Sequence, residues 1–169
     1  MLRYRAVREA DLHDVVSFPQ SAKELFNIFP AASYPLTIEQ LKKAVDTRFE
    51  STVVLHGQEV VGFANYYSLK QAVSCVIGNL IVRPNRRRCG IGEYLTRTMV
   101  EIAFAKYSVD TVFISCFSDN FAGLLLYAKV GFVPVSVDSV KDPDGRIIPR
   151  VKFQLGRELW NQHTAPTRA

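Results

Sequence analysis

One strand-loop-helix segment constrains the fold of this chain more than any other part of the sequence. The apolar run Leu80-Ile81-Val82 leads into a loop that ends Arg87-Arg88-Cys89-Gly90-Ile91-Gly92. From Gly92 to Lys106, apolar side chains recur at helical spacing and share one face of a predicted helix. A strand that feeds through a glycine loop into a helix is typical of an α/β fold, and we predict that class here.

The glycine loop also predicts an anion site. Gly90 and Gly92 carry no side chain that would keep a phosphate oxygen away from the backbone, and the start of the following helix offers unpaired N–H groups. We expect the phosphate contacts from Arg87, Arg88, Cys89, Gly90, Ile91 and Gly92. Taken alone, the loop could equally be an ordinary glycine turn with solvated arginines.

The charge balance narrows the ligand class. The net charge of +5 and the isoelectric point near 9.2 suit a nucleic acid, an anionic membrane or an anionic cofactor. The densest arginine cluster runs into glycines and does not form a basic helix face, which favours a small ligand with several phosphates. The sequence has no Gly-Lys-Ser/Thr loop and no evident aromatic-basic platform, so we predict no nucleic-acid partner.

We predict a single domain over residues 1–160, followed by a flexible C-terminal tail over residues 161–169. Strands are predicted at 3–8, 52–55, 59–67, 73–82, 111–116, 133–140 and 150–155. Helices are predicted at 10–16, 37–49, 92–106 and 120–129, and the Phe- and Pro-rich segment 18–36 is predicted to form a helical wall. The Pro- and Gly-containing loop 141–146 is interpreted as a hairpin turn, although it could border a site.

Solubility and compartment follow from hydropathy and cysteine usage. No apolar stretch approaches the ~20 residues of a spanning helix, and the N-terminal residues lack the apolar core of a signal peptide. Cys75, Cys89 and Cys116 cannot all pair and have no metal-type spacing. We therefore expect a cytoplasmic protein with reduced thiols, without a metal or a membrane partner.

A second motif follows the glycine loop in the order that one known family requires. Asn120 precedes a predicted helix that contains Leu126-Tyr127 and is followed by Gly131-Phe132. Together with Arg87, Gly90 and Gly92, this motif resembles the GCN5-related N-acetyltransferase (GNAT) family. The resemblance implies acetyl-CoA as the cosubstrate, and a mixed, mostly antiparallel sheet that is flanked by helices and has splayed central strands.

The resemblance also implies roles for particular residues. Amides near Ile81 and Val82 would hold the thioester carbonyl in the splay, and Asn120, Gly123 and Tyr127 would contact the cofactor. Tyr127 matches the family's general acid, since a phenol of pKa ~10 suits the protonation of a thiolate leaving group. Periodicity alone would instead make Tyr127 a packing residue, and Asn120 could equally be a helix cap.

The sequence predicts the acceptor less specifically than the cosubstrate. Gly62-Phe63-Ala64-Asn65 and Ile114-Ser115-Cys116-Phe117 look like a subgroup of small bacterial acetyltransferases for which lysine-containing peptides are plausible acceptors. The candidate acceptor contacts are Phe26, Tyr34, Asn65 and Asn79, although any one aromatic could simply fill the core. A primary amine, whether in a peptide or in a small molecule, is the expected substrate.

The catalytic base stays unassigned. Many relatives carry a carboxylate on the strand before Leu80, whereas the stretch Cys75-Val76-Ile77-Gly78-Asn79 has none. Water held by Asn79, Asn65 or Ser118 could take the proton, and Asp119 is the nearest acid in sequence. Because Cys116 lies in an apolar strand without a nearby histidine, we expect direct transfer in an ordered ternary complex. A non-catalytic module that senses acyl-CoA is the alternative.

Overall fold

Seven strands form one sheet in the order β1-β2-β3-β4-β5-β7-β6 in the computed structural model, which describes residues 1–164. The strands are β1 (Leu2–Ala6), β2 (Phe49–His56), β3 (Glu59–Lys70), β4 (Ser74–Val82), β5 (Thr111–Phe117), β6 (Val133–Lys141) and β7 (Ile147–Gly156). All neighbours are antiparallel except β4 and β5, which are parallel. The predicted class, a mixed and mostly antiparallel sheet with flanking helices, is confirmed.

Within residues 1–164, six helices accompany the sheet. They are α1 (Leu12–Val15), α2 (Ala22–Ile28), α3 (Ile38–Thr47), α4 (Ile91–Tyr107), α5 (Phe121–Val130) and α6 (Arg157–Thr164), with 3-10 turns at Glu9–Asp11 and Pro84–Arg86. The helix α6 extends to Thr164, into the segment 161–169 that the sequence analysis predicts as a flexible tail. Residues 165–169 lie outside the described part of the chain.

Helices cover both faces of the sheet, and β3 supplies apolar side chains to both, with its alternation interrupted by a bulge at Val61, between the partners of Val54 and Leu55. On one face, Val61 and Tyr66 join the core that α4 and α5 close, while Val60 and Phe63 face the core formed with α1 and α3. Gly62 lets α4 approach, since a Cβ there would lie 3.3 Å from Cδ2 of Leu95. This packing fixes the start of α4 against the ends of β3 and β4.

The parallel pair β4–β5 separates halfway along its length. Pairing runs only from Ser74–Thr111 to Ile77–Ile114, although both strands continue beyond those residues. At the same height the pairing of β3 with β4 shifts register between Phe63 and Asn65, opposite Asn79, whose φ is +51°. The irregularity bends β4 away from β5, so that a gap opens in the middle of the sheet.

The Phe- and Pro-rich segment 18–36 is only partly helical. Ser21 caps α2 by accepting a hydrogen bond from the amide of Glu24, and the helix ends at Ile28, shortly before Pro30. The remainder is irregular and contains a cis bond between Tyr34 and Pro35. The segment therefore forms a short helix with an extended arm.

Turn chemistry explains the loop after β6. The Asp142 carboxylate accepts hydrogen bonds from the amides of Asp144 and Arg146 and from Nε of Arg146, at 2.7–3.0 Å. The loop thus closes on itself, as the hairpin interpretation of 141–146 requires. Among the described helices, none has the length and apolar character needed to cross a membrane.

Candidate active site

The loop that precedes α4 presents a row of unsatisfied backbone amides. Within residues 1–164, the amides of residues 88–92 donate to no backbone or side-chain acceptor. Arg88 and Gly90 adopt left-handed conformations, with φ of +60° and +78°. The row lies at the N-terminus of a 17-residue helix, where the helix dipole adds positive potential. Backbone donors in this arrangement suit a phosphate group.

Arg87 has a different place from the one that the sequence suggests. Its guanidinium binds Glu24 of α2 at 2.7 Å and also donates to the carbonyl oxygens of Phe18 and Val82. The ion pair lowers the pKa of the Glu24 carboxyl below its ordinary value. Arg87 therefore joins the loop to α2 and to the end of β4, and its charge is already matched within the chain.

A cleft of about 580 Å³ occupies the gap between β4 and β5. One wall comes from the end of α2 and the chain after it, and the opposite wall comes from β6 and β7. Its lining residues include Asn27, Ile28, Pro30, Ala31, Arg48, Tyr67, Gly78, Asn79, Leu80, Ser115, Phe117, Asn120, Tyr127, Ser136, Asp138, Arg150 and Lys152. Segment 18–36 thus contributes to the cleft, although through Asn27, Ile28, Pro30 and Ala31 only.

Of the two amides predicted to hold a carbonyl, the one on Val82 faces the gap. The amide of Arg83 donates to the carbonyl oxygen of Val61 on β3 at 2.9 Å. Because successive residues of a strand direct their hydrogen-bonding groups to opposite sides, the amide of Val82 points away from β3 and that of Ile81 points toward it. The carbonyl oxygen of Val82 correspondingly accepts from Nε of Arg87 at 3.2 Å. Ile81 is therefore not a donor into the gap.

Tyr127 of α5 lies at the base of the cleft. Its ring packs edge-on against Phe132 and Phe153, with ring centroids 6.2 and 6.1 Å away. Burial raises the pKa of the Tyr127 phenol above its ordinary value, and the neighbouring Cys116 raises it further. The phenol therefore stays protonated at neutral pH. The ring of Tyr127 is packed in the core, as periodicity alone predicted, and the residue also lines the cleft, where a role in catalysis requires it.

The start of α5 is closely packed beneath the cleft. The Asn120 side chain accepts from the amide of Gly123 at 3.1 Å, which is the predicted cap. A Cβ at position 123 would lie only 2.8 Å from Sγ of Cys116, so close packing requires a glycine here. Burial raises the pKa of the Cys116 thiol to about 12, which suits a structural thiol and not a nucleophile.

Arg48, which no sequence pattern marked, also lines the cleft. It donates from Nη1 to Oδ1 of Asn79 and, at 3.5 Å, to Oδ1 of Asn65. Its guanidinium also lies over the rings of Phe29 and Tyr67, 4.9 and 5.1 Å from their centroids. The predicted contacts Asn65 and Asn79 therefore meet at one point, although only Asn79 lines the cleft.

The β6–β7 wall carries three further charged side chains that were missed. Arg150 binds Asp138 at 2.5 Å, and Lys152 places Nζ 4.2 Å from the ring centroid of Phe113. The Arg150 guanidinium holds the pKa of the Asp138 carboxyl below its ordinary value. An alternating strand gives no local sign of which charges face a cleft, so no signal in the sequence marked these residues.

The remaining predicted residues lie outside the cleft lining. Phe26 is buried and stacks on Phe117 at 4.9 Å, so it supports the wall from behind. Tyr34 is half exposed, and its hydroxyl reaches only the carbonyl oxygen of Gln20, at 3.5 Å. Asp119 pairs with Lys23 at 2.7 Å, and Ser118 does not line the cleft. Within residues 1–164, no cluster of three or more His, Cys, Asp or Glu side chains could hold a metal ion.

Comparison with solved structures shows the same fold. Ribosomal-protein-alanine N-acetyltransferase from Brucella melitensis aligns with a TM-score of 0.76 and 21% identity, over 91% of this chain and 99% of that chain. Spermidine N-acetyltransferase from Vibrio cholerae, in complex with CoA and spermine, gives 0.80 and 16% over 94% and 97%. A putative acetyltransferase from Salmonella typhimurium with its cofactor acetyl-CoA gives 0.76 and 16% over 99% of both chains. Curated protein sequences give no match.

These distant structures establish the fold alone, and a family model establishes the family. The model described as the acetyltransferase (GNAT) family matches residues 15–132, which is more than half of the chain and includes the amide-lined loop, both strands of the gap and Tyr127. This chain therefore belongs to the GNAT acetyltransferase family, which confirms the predicted enzyme class, an acetyl-CoA-dependent N-acetyltransferase.

Proposed function

We propose that this enzyme transfers the acetyl group of acetyl-CoA directly to a primary amine, and that the amides of residues 88–92 bind the CoA pyrophosphate. The unsatisfied amides at the start of α4 carry the proposal. Donors without an internal acceptor are stabilised by a ligand that supplies several oxygens, and a pyrophosphate does so with charge that complements the helix dipole. Arg88, which has no acidic partner among the described residues, adds charge beside them.

The end of β4 is suited to hold the thioester. The amide of Val82 faces a gap in which no strand pairs with it, because β4 and β5 separate after Ile77. A donor in this position can stabilise the negative charge that develops on the thioester oxygen during attack. Removal of one such donor in comparable sites costs about 3 kcal/mol.

Tyr127 is suited to protonate the departing thiolate. Its hydroxyl makes no hydrogen bond with another residue in the described structure, so its proton is available to a ligand. The raised pKa keeps the acid form present across the physiological range. We assign Tyr127 as the general acid, and Asn120 and Gly123 as residues that shape the helix end beside the cofactor.

Direct transfer is favoured over a covalent intermediate. Cys116 neighbours Tyr127, and at a pKa of about 12 its thiolate is scarce at neutral pH. Asp138, the one carboxylate that lines the cleft, is bound to Arg150. The amine therefore reaches the thioester in its neutral form, after losing its proton to solvent or to a water beside Asn79.

A lysine of a peptide is our first candidate acceptor. The motif resemblance favours it, and the names of two structural relatives refer to a protein alanine and to spermidine, which are both amines. Two measurements test the proposal. Calorimetry gives the affinity of the enzyme for CoA, and an assay with acetyl-CoA and a panel of amines follows acetyl transfer by the release of the free CoA thiol. Tight CoA binding with acetylation of at least one amine is expected. CoA binding with slow hydrolysis only would indicate a sensing module, and failure to bind CoA would overturn the assignment.

A further inference from the structure

Arg48 brings a positive charge into the cleft without a counter-ion. It is half-buried and lines the cleft, and no carboxylate of residues 1–164 lies within ion-pair distance of it. Its hydrogen-bond acceptors are the neutral side-chain amides of Asn65 and Asn79. Removing a charge from water without pairing it is costly, so a cation held in this way is usually completed by a ligand.

The guanidinium has donors left for that ligand. Both described hydrogen bonds leave from Nη1, so Nε and Nη2 of Arg48 have no acceptor within the described chain. Contacts with Phe29 and Tyr67 hold the plane of the group. An Nε–Nη2 edge held in a fixed plane matches the two oxygens of a carboxylate.

The side chains that line the cleft carry a net positive charge, as Arg48 does. The lining includes three basic side chains, Arg48, Arg150 and Lys152, and one acidic side chain, Asp138. The Asp138 carboxylate is matched by Arg150, which leaves Arg48 and Lys152 on opposite walls without acidic partners among residues 1–164. A net positive lining repels a substrate that carries a second ammonium group and attracts one that carries an anion.

We propose that the acceptor is an amine that also carries a carboxylate, and that Arg48 binds this carboxylate while the amine reaches toward Val82. The proposal rests on the amine-acetyltransferase function and specifies its substrate class. An amino acid and the C-terminus of a peptide share this chemistry, whereas a polyamine lacks it.

Pairs of amines that differ only in the carboxylate test the substrate class with the unaltered enzyme. Lysine is compared with cadaverine, and a lysine-ending peptide acid is compared with its C-terminal amide. A charge-assisted hydrogen bond of 1.5–3 kcal/mol corresponds to a kcat/KM roughly 10- to 100-fold higher for the carboxylated member of each pair. Activity with free lysine identifies an amino acid substrate, whereas activity with the peptide acid alone identifies a peptide C-terminus.

Substitution of Arg48 separates anion binding from a purely structural role. Arg48→Met should remove the preference within each pair by raising KM for the carboxylated amine, with little change for its neutral partner. Arg48→Lys should restore part of the preference, because a point charge remains without the two-pronged edge. Lys152→Met is the matched control, since it removes a cation from the opposite wall and should keep most of the preference.

Each outcome bears on one claim. Equal or better acetylation of cadaverine and the peptide amide would overturn the substrate class while leaving the acetyltransferase function intact. An equal loss for both members of a pair in Arg48→Met would show that Arg48 only holds Asn65 and Asn79 in place. Acetyl-CoA binding without transfer to any amine would overturn the amine-transfer function, and the substrate class with it.

Discussion

At the CoA end of the proposed site, the loop before α4, the proposed ligand contacts are main-chain amides from one stretch, residues 88–92. At the acceptor end they are side chains that different strands bring together, such as Arg48 on the chain between α3 and β2, Asn79 on β4, and Arg150 on β7. The first end depends on local backbone conformation, and the second depends on tertiary packing. Substitutions should therefore affect the two ends separately.

Tyr127 lies between the two ends, and its removal should have the largest effect. Tyr127→Phe should lower kcat at least about 100-fold, because general acid catalysis is lost, while Kd for CoA and KM for the amine stay within about twofold. The ring contacts with Phe132 and Phe153 remain, so the thermal unfolding temperature serves as a control. Unchanged turnover in a chemistry-limited assay would remove Tyr127 from its role.

The pH dependence should arise from the amine. For an acceptor of pKa ~10.4, the neutral fraction and therefore kcat/KM rise about tenfold per pH unit from pH 7 to 9. The raised pKa of Tyr127 keeps the acid protonated over this range, so the loss of activity that accompanies phenol ionisation falls above pH 10. A descending limb below pH 9 in the profile of kcat/KM would contradict this assignment.

A pair of glycine substitutions isolates the CoA end. Gly90 and Gly145 have φ of +78° and +80°, and a Cβ at either would meet no atom within 4 Å. An alanine at either position carries the same left-handed strain of about 1 kcal/mol, but only Gly90→Ala should weaken CoA binding, by about fivefold in Kd. Calorimetry measures both variants. Equal CoA affinity of Gly90→Ala and Gly145→Ala would place the pyrophosphate elsewhere.

The smallest effect is expected for the buried thiol. Cys116→Ala should leave kcat within about twofold, because a thiol of pKa about 12 takes no covalent part, and should lower stability by about 1 kcal/mol through lost packing against Gly123. Steady-state rates and thermal unfolding measure the two effects. Loss of turnover, together with an acetylated wild-type enzyme in mass spectra, would show that the acetyl group passes through Cys116.

The contrast between local backbone conformation and tertiary packing also explains which parts of the molecule could be predicted from the sequence. The strand, glycines and helix of residues 80–106 interact locally, so their pattern is enough to predict the loop and the start of α4. The cap at Asn120 is local in the same sense. The motif resemblance supplied the splay of β4 from β5, which no local pattern indicates.

The acceptor end could not be predicted because its members meet only after folding. Arg48 and Asn79 are 31 residues apart, and the side chain of each would fit many surface positions. Aromatic composition favoured Phe26 and Tyr34, yet Phe26 packs behind the wall and Tyr34 lies away from it, since Pro30 and Pro35 redirect the chain after α2. The helix α6 was missed where polar composition suggested fraying.

The ion pair between Arg87 and Glu24 has a mechanical consequence. It fastens the pyrophosphate loop to α2, whose last turn supplies Asn27 and Ile28 to the acceptor wall, and Asn79 secures that turn by donating to the carbonyl oxygen of Ile28. If CoA binding stiffens the loop, this connection carries the effect along the helix to the proposed acceptor wall. Such coupling gives a physical reason for an obligatory sequence of addition, with the acyl donor arriving before the amine.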